Sequence, residues 1–246
     1  FVFGTINRLL IPFGLHHLLN SLPWFQLGQC TNADGDVLHG DNTCFLAGVN
    51  GTNDWTGSFM TGFFPIMMFA LPAAALAIWR TARPERRKAT GALMVSVALT
   101  AFLTGITEPI EYAFAYVAFP LYAVHAVLTG TSLAVVNTLG AKDGFSFSAG
   151  AIDYLLNFRK SADLSGGVLQ GPIMIVIIGL VYAVIYYFVF SFLIKRLDFK
   201  TPGREDDDVD SFKEAQAAAA QSTGQASQAA GASGQGGGKK ARNKQR

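Results

Sequence analysis

Between Ala89 and Ala141 the chain runs 53 residues with two charged side chains, Glu108 and Glu111. They sit in Gly105-Ile106-Thr107-Glu108-Pro109-Ile110-Glu111, flanked by the apolar stretches Met94 to Leu103 and Tyr112 to Leu128. Carboxylates are costly in such surroundings unless they are hydrogen-bonded, protonated or turned toward a polar cavity. Residues three apart on a helix share a face, so one lined site is expected to serve both. Gly-Ile-Thr-Glu-Pro reads as a break in an apolar helix. Glu108 is expected to cap the new segment, Pro109 to take its first position, and Glu111 to fall in the first turn, where the helix dipole favours an anion. Broken helices carrying acidic groups at membrane depth are a way to build a transported-substrate site.

Composition excludes an ordinary soluble domain. Half of the residues are hydrophobic and 15% are charged, with a mean hydropathy of +0.31. Three stretches, 59–79, 89–107 and 171–194, contain no Asp, Glu, Lys or Arg. At a rise of roughly 1.5 Å per residue each approaches the ~30 Å hydrocarbon core of a bilayer. The expected fold is an all-α polytopic membrane protein, with transmembrane helices and re-entrant or broken helices around a site.

The net charge of +2 hides an uneven layout. No Lys or Arg lies between Arg8 and Arg80, whereas Arg80, Arg83, Arg86, Arg87 and Lys88 crowd one short loop, and Lys195 and Arg196 close the last apolar stretch. The positive-inside rule places 80–88 and the C-terminus in the cytoplasm and the Asp-rich 31–57 loop outside. Arg159 and Lys160 conflict with that alternation, which a re-entrant element within 100–165 would resolve. Cys30 and Cys44 form no Cys-x-x-Cys pair and have no His cluster beside them. They read as two packed or loop thiols, with no metal site. The chain begins at Phe1 with no leader-like segment, so it reads as a fragment lacking its N-terminal part.

Residues 1–30 read as an interfacial or membrane helix broken at Pro12 and Pro23. The stretch 109–139 is too long for one simple span and carries Pro120. The segment 145–154 is small, polar and aromatic, suited to a close-packed turn into a helix. After Arg204 the chain turns acidic, then Ala/Gln/Gly/Ser-rich, then basic. That divides it into a body, 1–204, and a disordered cytoplasmic tail, 205–246.

Several of these stretches together resemble enzyme IIC, the membrane subunit of the bacterial phosphoenolpyruvate-dependent sugar phosphotransferase system, in its glucose/N-acetylglucosamine branch. They are Asn7 to Asn20 (NRLLIPFGLHHLLN), Thr31 to Asp41 (TNADGDVLHGD), Gly62 to Leu71 (GFFPIMMFAL), Gly105 to Glu111 (GITEPIE), Gly144 to Tyr154 (GFSFSAGAIDY) and Lys200 to Glu205 (KTPGRE). The resemblance covers about 1–205, as the C-terminal part of such a subunit. Trp24-Phe25-Gln26, the Gly62 stretch and the Gly144 stretch look most like the N-acetylglucosamine-specific type. Two positions depart from it: Cys44 stands where the family often carries Arg, and an acidic residue is usual near Val49.

The resemblance implies a bacterial plasma-membrane, multi-pass subunit that binds and translocates N-acetylglucosamine while phosphocysteine of a IIB protein phosphorylates the 6-hydroxyl. IIA and the phosphocarrier protein would act upstream, and the subunit would form a homodimer in the bilayer. Neither Cys30 nor Cys44 is followed by the Arg-rich sequence of a IIB site, so that function is expected on another chain. No cofactor and no nucleic acid is implied. Glu108 is the candidate catalytic base and sugar ligand, because a carboxylate can accept two hydroxyl hydrogens. Glu111, His16, His17 and Asn20 are further candidate sugar ligands. Adjacent helix residues diverge, so one of the two histidines is expected to face the site more easily. His125 reads as packing, and Phe145, Phe147 and Tyr154 as packing or as rings for a sugar to stack on. A glucose-type enzyme IIC, a proton-coupled sugar transporter and a structural membrane subunit are the alternatives.

Overall fold

The computed structural model describes residues 1–51 and 54–205. The expected tail lies outside the described residues apart from Glu205, which is buried and accepts a hydrogen bond from the Gly203 amide at 2.9 Å. Nine helices and one hairpin are formed among the described residues. α1 (Val2–Leu10) runs through a tight turn, Ile11–Phe13, into α2 (His16–Phe25); β1 (Gln29–Thr31) pairs antiparallel with β2 (Val37–His39); α3 is Asp41–Ala47. A π-helical stretch, Pro65–Ala70, leads into α4 (Leu71–Thr81), followed by α5 (Arg87–Thr104), α6 (Glu108–Ala115), α7 (Phe119–Thr138) and α8 (Ala151–Leu164). A second π-helical stretch, Leu169–Ile173, opens α9 (Met174–Arg196). Both π-helical stretches contain a proline, which has no amide hydrogen to give to the regular ladder.

Where these elements depart from expectation, the reason is local. The fold is mostly helical but not all-α, because Asn32 builds a turn. Its side-chain oxygen accepts from the amides of Asp34 at 3.0 Å and Asp36 at 2.8 Å, which folds β1 back onto β2. Residues 61 and 62, expected inside a helix over 59–79, lie in turns instead, and the helical run is Pro65–Thr81. α5 ends at Gly105, whose φ of 73° is a left-handed conformation suited to glycine. Thr107, not Glu108, takes the N-cap position of α6, so Glu108 and Pro109 are its first two residues. The long apolar stretch 109–139 divides at Tyr116–Ala118 into α6 and α7. By length and composition, α7 and the run Leu169–Arg196 could each cross a membrane.

α9 packs along α4 and the stretch before it, and Gly179 leaves room for the Phe69 ring. α1 lies against α7, where a Cβ on Gly4 would stand 3.1 Å from Gly130 Cα; small residues permit that approach. α9 is apolar on both sides. It buries Ile178, Tyr186 and Phe190 and exposes Val181, Val184 and Phe188. A helix that is apolar all round belongs in a core or in lipid.

The charged loops gather into two groups. In one, the Arg83 amide bonds Gly203 O at 3.0 Å, Arg204 reaches Thr81 O at 3.1 Å, and Arg86 stands 3.2 Å from Glu205. In the other, Lys142 holds Asn50 at 2.7 Å and Asp54, while Lys160 donates to Leu46 O at 2.6 Å. Lys160 therefore belongs with the Asp-rich loop rather than with the 80–88 cluster.

Cys30 and Cys44 are joined in a disulfide, with Cα atoms 6.0 Å apart. This corrects the expectation of two separate thiols. The hairpin brings β1 beside α3, a proximity that a spacing of 14 residues does not reveal.

Candidate functional site

α1, α2, the segment before α6 and the 145–148 loop converge on a cavity of about 100 Å³. α2 contributes His16, His17, Asn20 and Trp24, and the loop contributes Phe145 and Phe147. Thr107 comes from the break after α5, Glu108 from the first position of α6, and Asn7 and Arg8 from α1. Polar side chains that can donate or accept therefore face aromatic rings, a lining suited to a polyhydroxylated ring. The 145–148 loop is held from behind by Asp153, whose carboxylate accepts from the amides of Ser146 at 2.8 Å and Ser148 at 3.2 Å. Ser148 in turn donates to Gly105 O at 2.9 Å, tying the aromatic loop to the glutamate break.

The two glutamates do not share one surface. Glu108 lines the cavity with its side chain 35% exposed, and its Oε1 lies 3.9 Å from His16 Nε2. Its Oε2 accepts from the Thr107 amide at 3.1 Å. Glu111 is fully buried and is not among the cavity-lining residues. Its Oε1 receives Arg8 Nη1 at 2.7 Å and lies 3.4 Å from His125 Nε2. Arg8, 3% exposed, also donates to Thr107 Oγ1 at 3.3 Å and stacks on the Phe63 ring at 4.8 Å. The Arg8 carbonyl accepts from the Tyr122 hydroxyl, and His125 Nδ1 stands 2.9 Å from the Tyr186 hydroxyl. Glu111 thus belongs to a buried polar network linking α1, α6, α7 and α9. The expectation of one lined face fails: Glu111 does not reach the cavity because its carboxylate is taken up by Arg8, which itself lines the cavity, and by His125 behind it.

Of the residues read from sequence, His16, His17, Asn20 and Glu108 come together with Phe145 and Phe147; Glu111, His125 and Tyr154 do not line this cavity. Both histidines line it, their rings 4.0 Å apart, although one alone was expected to face it easily. Asn20 is fixed by Asn7, whose Nδ2 donates to its Oδ1 at 2.5 Å. Arg8, Asn7, Thr107 and Trp24 were not anticipated as site residues. The signal for Arg8 was its isolation, as the sole Lys or Arg before Arg80. Among the described residues no group of three or more His, Cys, Asp or Glu could hold a metal ion.

Residues 1–130 match the family described as Phosphotransferase system, EIIC. The chain belongs to that family. EIIC is a membrane component of the phosphotransferase system. The matched part carries Arg8, both histidines, Asn20 and Glu108, whereas the aromatic loop of this EIIC chain lies beyond it. The chain is 54% identical over 209 residues to the "PTS system N-acetylglucosamine-specific EIICB component" of Bacillus subtilis, covering 85% of this chain and 42% of the relative. It is 53% identical over 207 residues to the "PTS system N-acetylglucosamine-specific EIIC component" of Streptomyces coelicolor, covering 84% of this chain and 47% of the relative. The "PTS system N-acetylglucosamine-specific EIICBA component" of Escherichia coli is 53% identical over 205 residues, 83% of this chain and 30% of the relative. The chain thus spans less than half the length of each of these relatives.

Proposed function

We propose that this EIIC chain forms the sugar-binding part of a transporter that takes up N-acetylglucosamine and passes it to a phosphorylated IIB unit for 6-phosphorylation. The observation that carries this reading is the placement of Glu108 on a polar and aromatic cavity together with His16, His17 and Asn20, in a chain more than half identical to relatives named for that sugar. In the proposed step the sugar's 6-oxygen attacks phosphorus, the S–P bond of the IIB phosphocysteine breaks, and the hydroxyl proton passes to Glu108 as general base. His16, 3.9 Å from Glu108, would orient that carboxylate. The donor cysteine lies outside these residues, since Cys30 and Cys44 are joined to each other.

The proposed chain crosses the plasma membrane several times, with the 80–88 and 197–205 end inside and the disulfide end outside. The excess of Lys and Arg at the first end supports this orientation. So does the disulfide, because such bonds persist on the oxidising side of a membrane. α6, eight residues or about 12 Å, is too short to cross ~30 Å of hydrocarbon and would be a broken or re-entrant element.

Two experiments test the reading. Membranes containing the full-length subunit should form N-acetylglucosamine 6-phosphate when a phosphorylated IIB is supplied; product formed without any phosphorylated IIB would overturn group transfer. Cysteines introduced at Glu85 and Asp34, both exposed, should differ in labelling by a membrane-impermeant thiol reagent. Asp34→Cys should react in intact cells and Glu85→Cys after permeabilisation; the reverse pattern would invert the orientation.

A further inference from the structure

A second cavity, of about 290 Å³, adjoins the one that Glu108 lines. The two share five lining residues, His17, Asn20, Trp24, Phe145 and Phe147. Ligand sites usually enclose roughly 300–1,000 Å³. The smaller cavity is below that range, and the pair together reaches its lower end. The shared wall puts the second cavity within reach of a substituent on a ring held at Glu108.

That cavity brings in a residue assigned no role so far. Asn42, in the first turn of α3, lines it and is 7% exposed, and its side-chain carbonyl oxygen has no hydrogen-bond partner among the described residues. Leaving a buried acceptor unmet costs on the order of 1–3 kcal/mol, so this oxygen calls for a partner. Besides the polar side chains of His17, Asn20, Ser21 and Ser146, the wall has an aromatic part, with Trp24 and Phe145 edge to face at 5.2 Å and Phe147 also lining it.

Asn42 is also rigidly placed. Gly40, at φ 89°, lies so close to the backbone of Trp24 and Phe25 that a Cβ there would collide with it, which seats the start of α3 against the end of α2. One residue before Asn42, the Asp41 carboxylate accepts from the amides of Gly57 at 2.5 Å and Phe59 at 2.7 Å. Two residues after it, Cys44 is bonded to β1. A specificity contact depends on such fixed placement.

We propose that the second cavity is the subsite for the sugar's 2-acylamino group, with Asn42 Oδ1 accepting the amide N–H and the rings of Trp24, Phe145 and Phe147 enclosing the methyl. One donor, matched to one unmet acceptor, and a small apolar cap describe an acetamido substituent. This inference rests on the proposed function, and the test separates the two.

Binding of radiolabelled N-acetylglucosamine to the full-length subunit in nanodiscs would be measured by equilibrium dialysis for the unaltered protein, Asn42→Leu, Asn42→Ala and Asn42→Asp. Losing the acceptor in Asn42→Leu and Asn42→Ala should weaken binding by about tenfold or more. Asn42→Asp keeps an acceptor and should stay within about threefold of the unaltered protein. Because the contact is remote from the 6-hydroxyl and equal in ground and transition states, the Leu and Ala variants should raise KM for phosphorylation and leave kcat unchanged. Thermal unfolding of each variant identifies any that fails to fold, and the Ala variant decides if the Leu variant does. Unchanged binding in the folded variants, equal loss in Asp and Ala, or a fall in kcat with KM constant would overturn the subsite. Failure of the unaltered protein to bind the sugar would instead overturn the proposed function, and the subsite with it.

Discussion

Glu108 and Glu111 lie three residues apart in one motif and inhabit opposite surroundings. Glu108 borders a cavity, partly exposed, with a histidine at 3.9 Å and a backbone amide on its other oxygen. Glu111 is sealed between α1, α6, α7 and α9 and pairs with Arg8 at 2.7 Å. A carboxylate that must take and release a proton needs access to its substrate, whereas one that holds a buried guanidinium must stay charged. The same side chain therefore borders a cavity at one position and is locked into a buried ion pair three residues on. Sequence spacing alone places both on one helix face; what differs is the partner that the fold brings to each.

The largest expected effect separates the two directly. Glu108→Gln keeps the shape but removes the proposed base, and sugar phosphorylation with supplied IIB should fall on the order of 10²–10⁴-fold. Its melting temperature should hardly move. Near-normal turnover would take Glu108 out of the mechanism and erase the contrast.

Glu111→Gln should reverse that pattern. It leaves the Arg8 charge buried and uncompensated, which typically costs about 3–5 kcal/mol of stability, read by thermal unfolding in detergent. Replacing both partners, as in Arg8→Met with Glu111→Leu, should recover most of that loss, since well-packed apolar pairs often match a buried ion pair. A double variant no better than Glu111→Gln would mean that Arg8 is required for itself, at the cavity it also lines.

The loop end sharpens the comparison further, because it walls the cavity and makes no part of the Arg8–Glu111 network. Reducing the Cys30–Cys44 bond, which closes a loop of 14 residues, should destabilise this end by about 3 kcal/mol in the chain-entropy picture. Sugar binding should weaken while the α1–α7 core keeps its protection from hydrogen exchange. Equal loss of protection in both regions would mean that the two are one cooperative unit.

The smallest effect concerns pH. Burial pushes the Asp41 carboxyl up from its ordinary 3.8 to about 6, against the two amides that favour its charged form. A group raised in this way binds its proton more tightly in the folded state, so the stability it contributes falls as pH rises from about 4 through 6. Unfolding profiles should therefore show the loop end gaining stability below pH 6, and Asp41→Asn should flatten that slope. An unchanged slope in the variant would place the titrating group elsewhere.

Much of this protein is legible along the chain. The apolar runs, the glutamate break and the Lys/Arg asymmetry follow from local composition, since burial and membrane depth penalise charge wherever it stands. The Asn7–Asn20 and Gly105–Glu111 stretches located four of the cavity residues, His16, His17, Asn20 and Glu108. Short-range signals also set the left-handed stop at Gly105 and the turn at Asn32. Tertiary structure alone decided which glutamate meets the cavity, because Arg8 reaches Glu111 across 103 positions. It decided likewise that Cys30 meets Cys44, that Lys160 sits with the Asp-rich loop, and that Asn42 closes a cavity whose other walls come from α2 and the 145–148 loop. Periodicity tells which face of an element needs covering; the partner that covers it is chosen by packing between segments far apart in the chain.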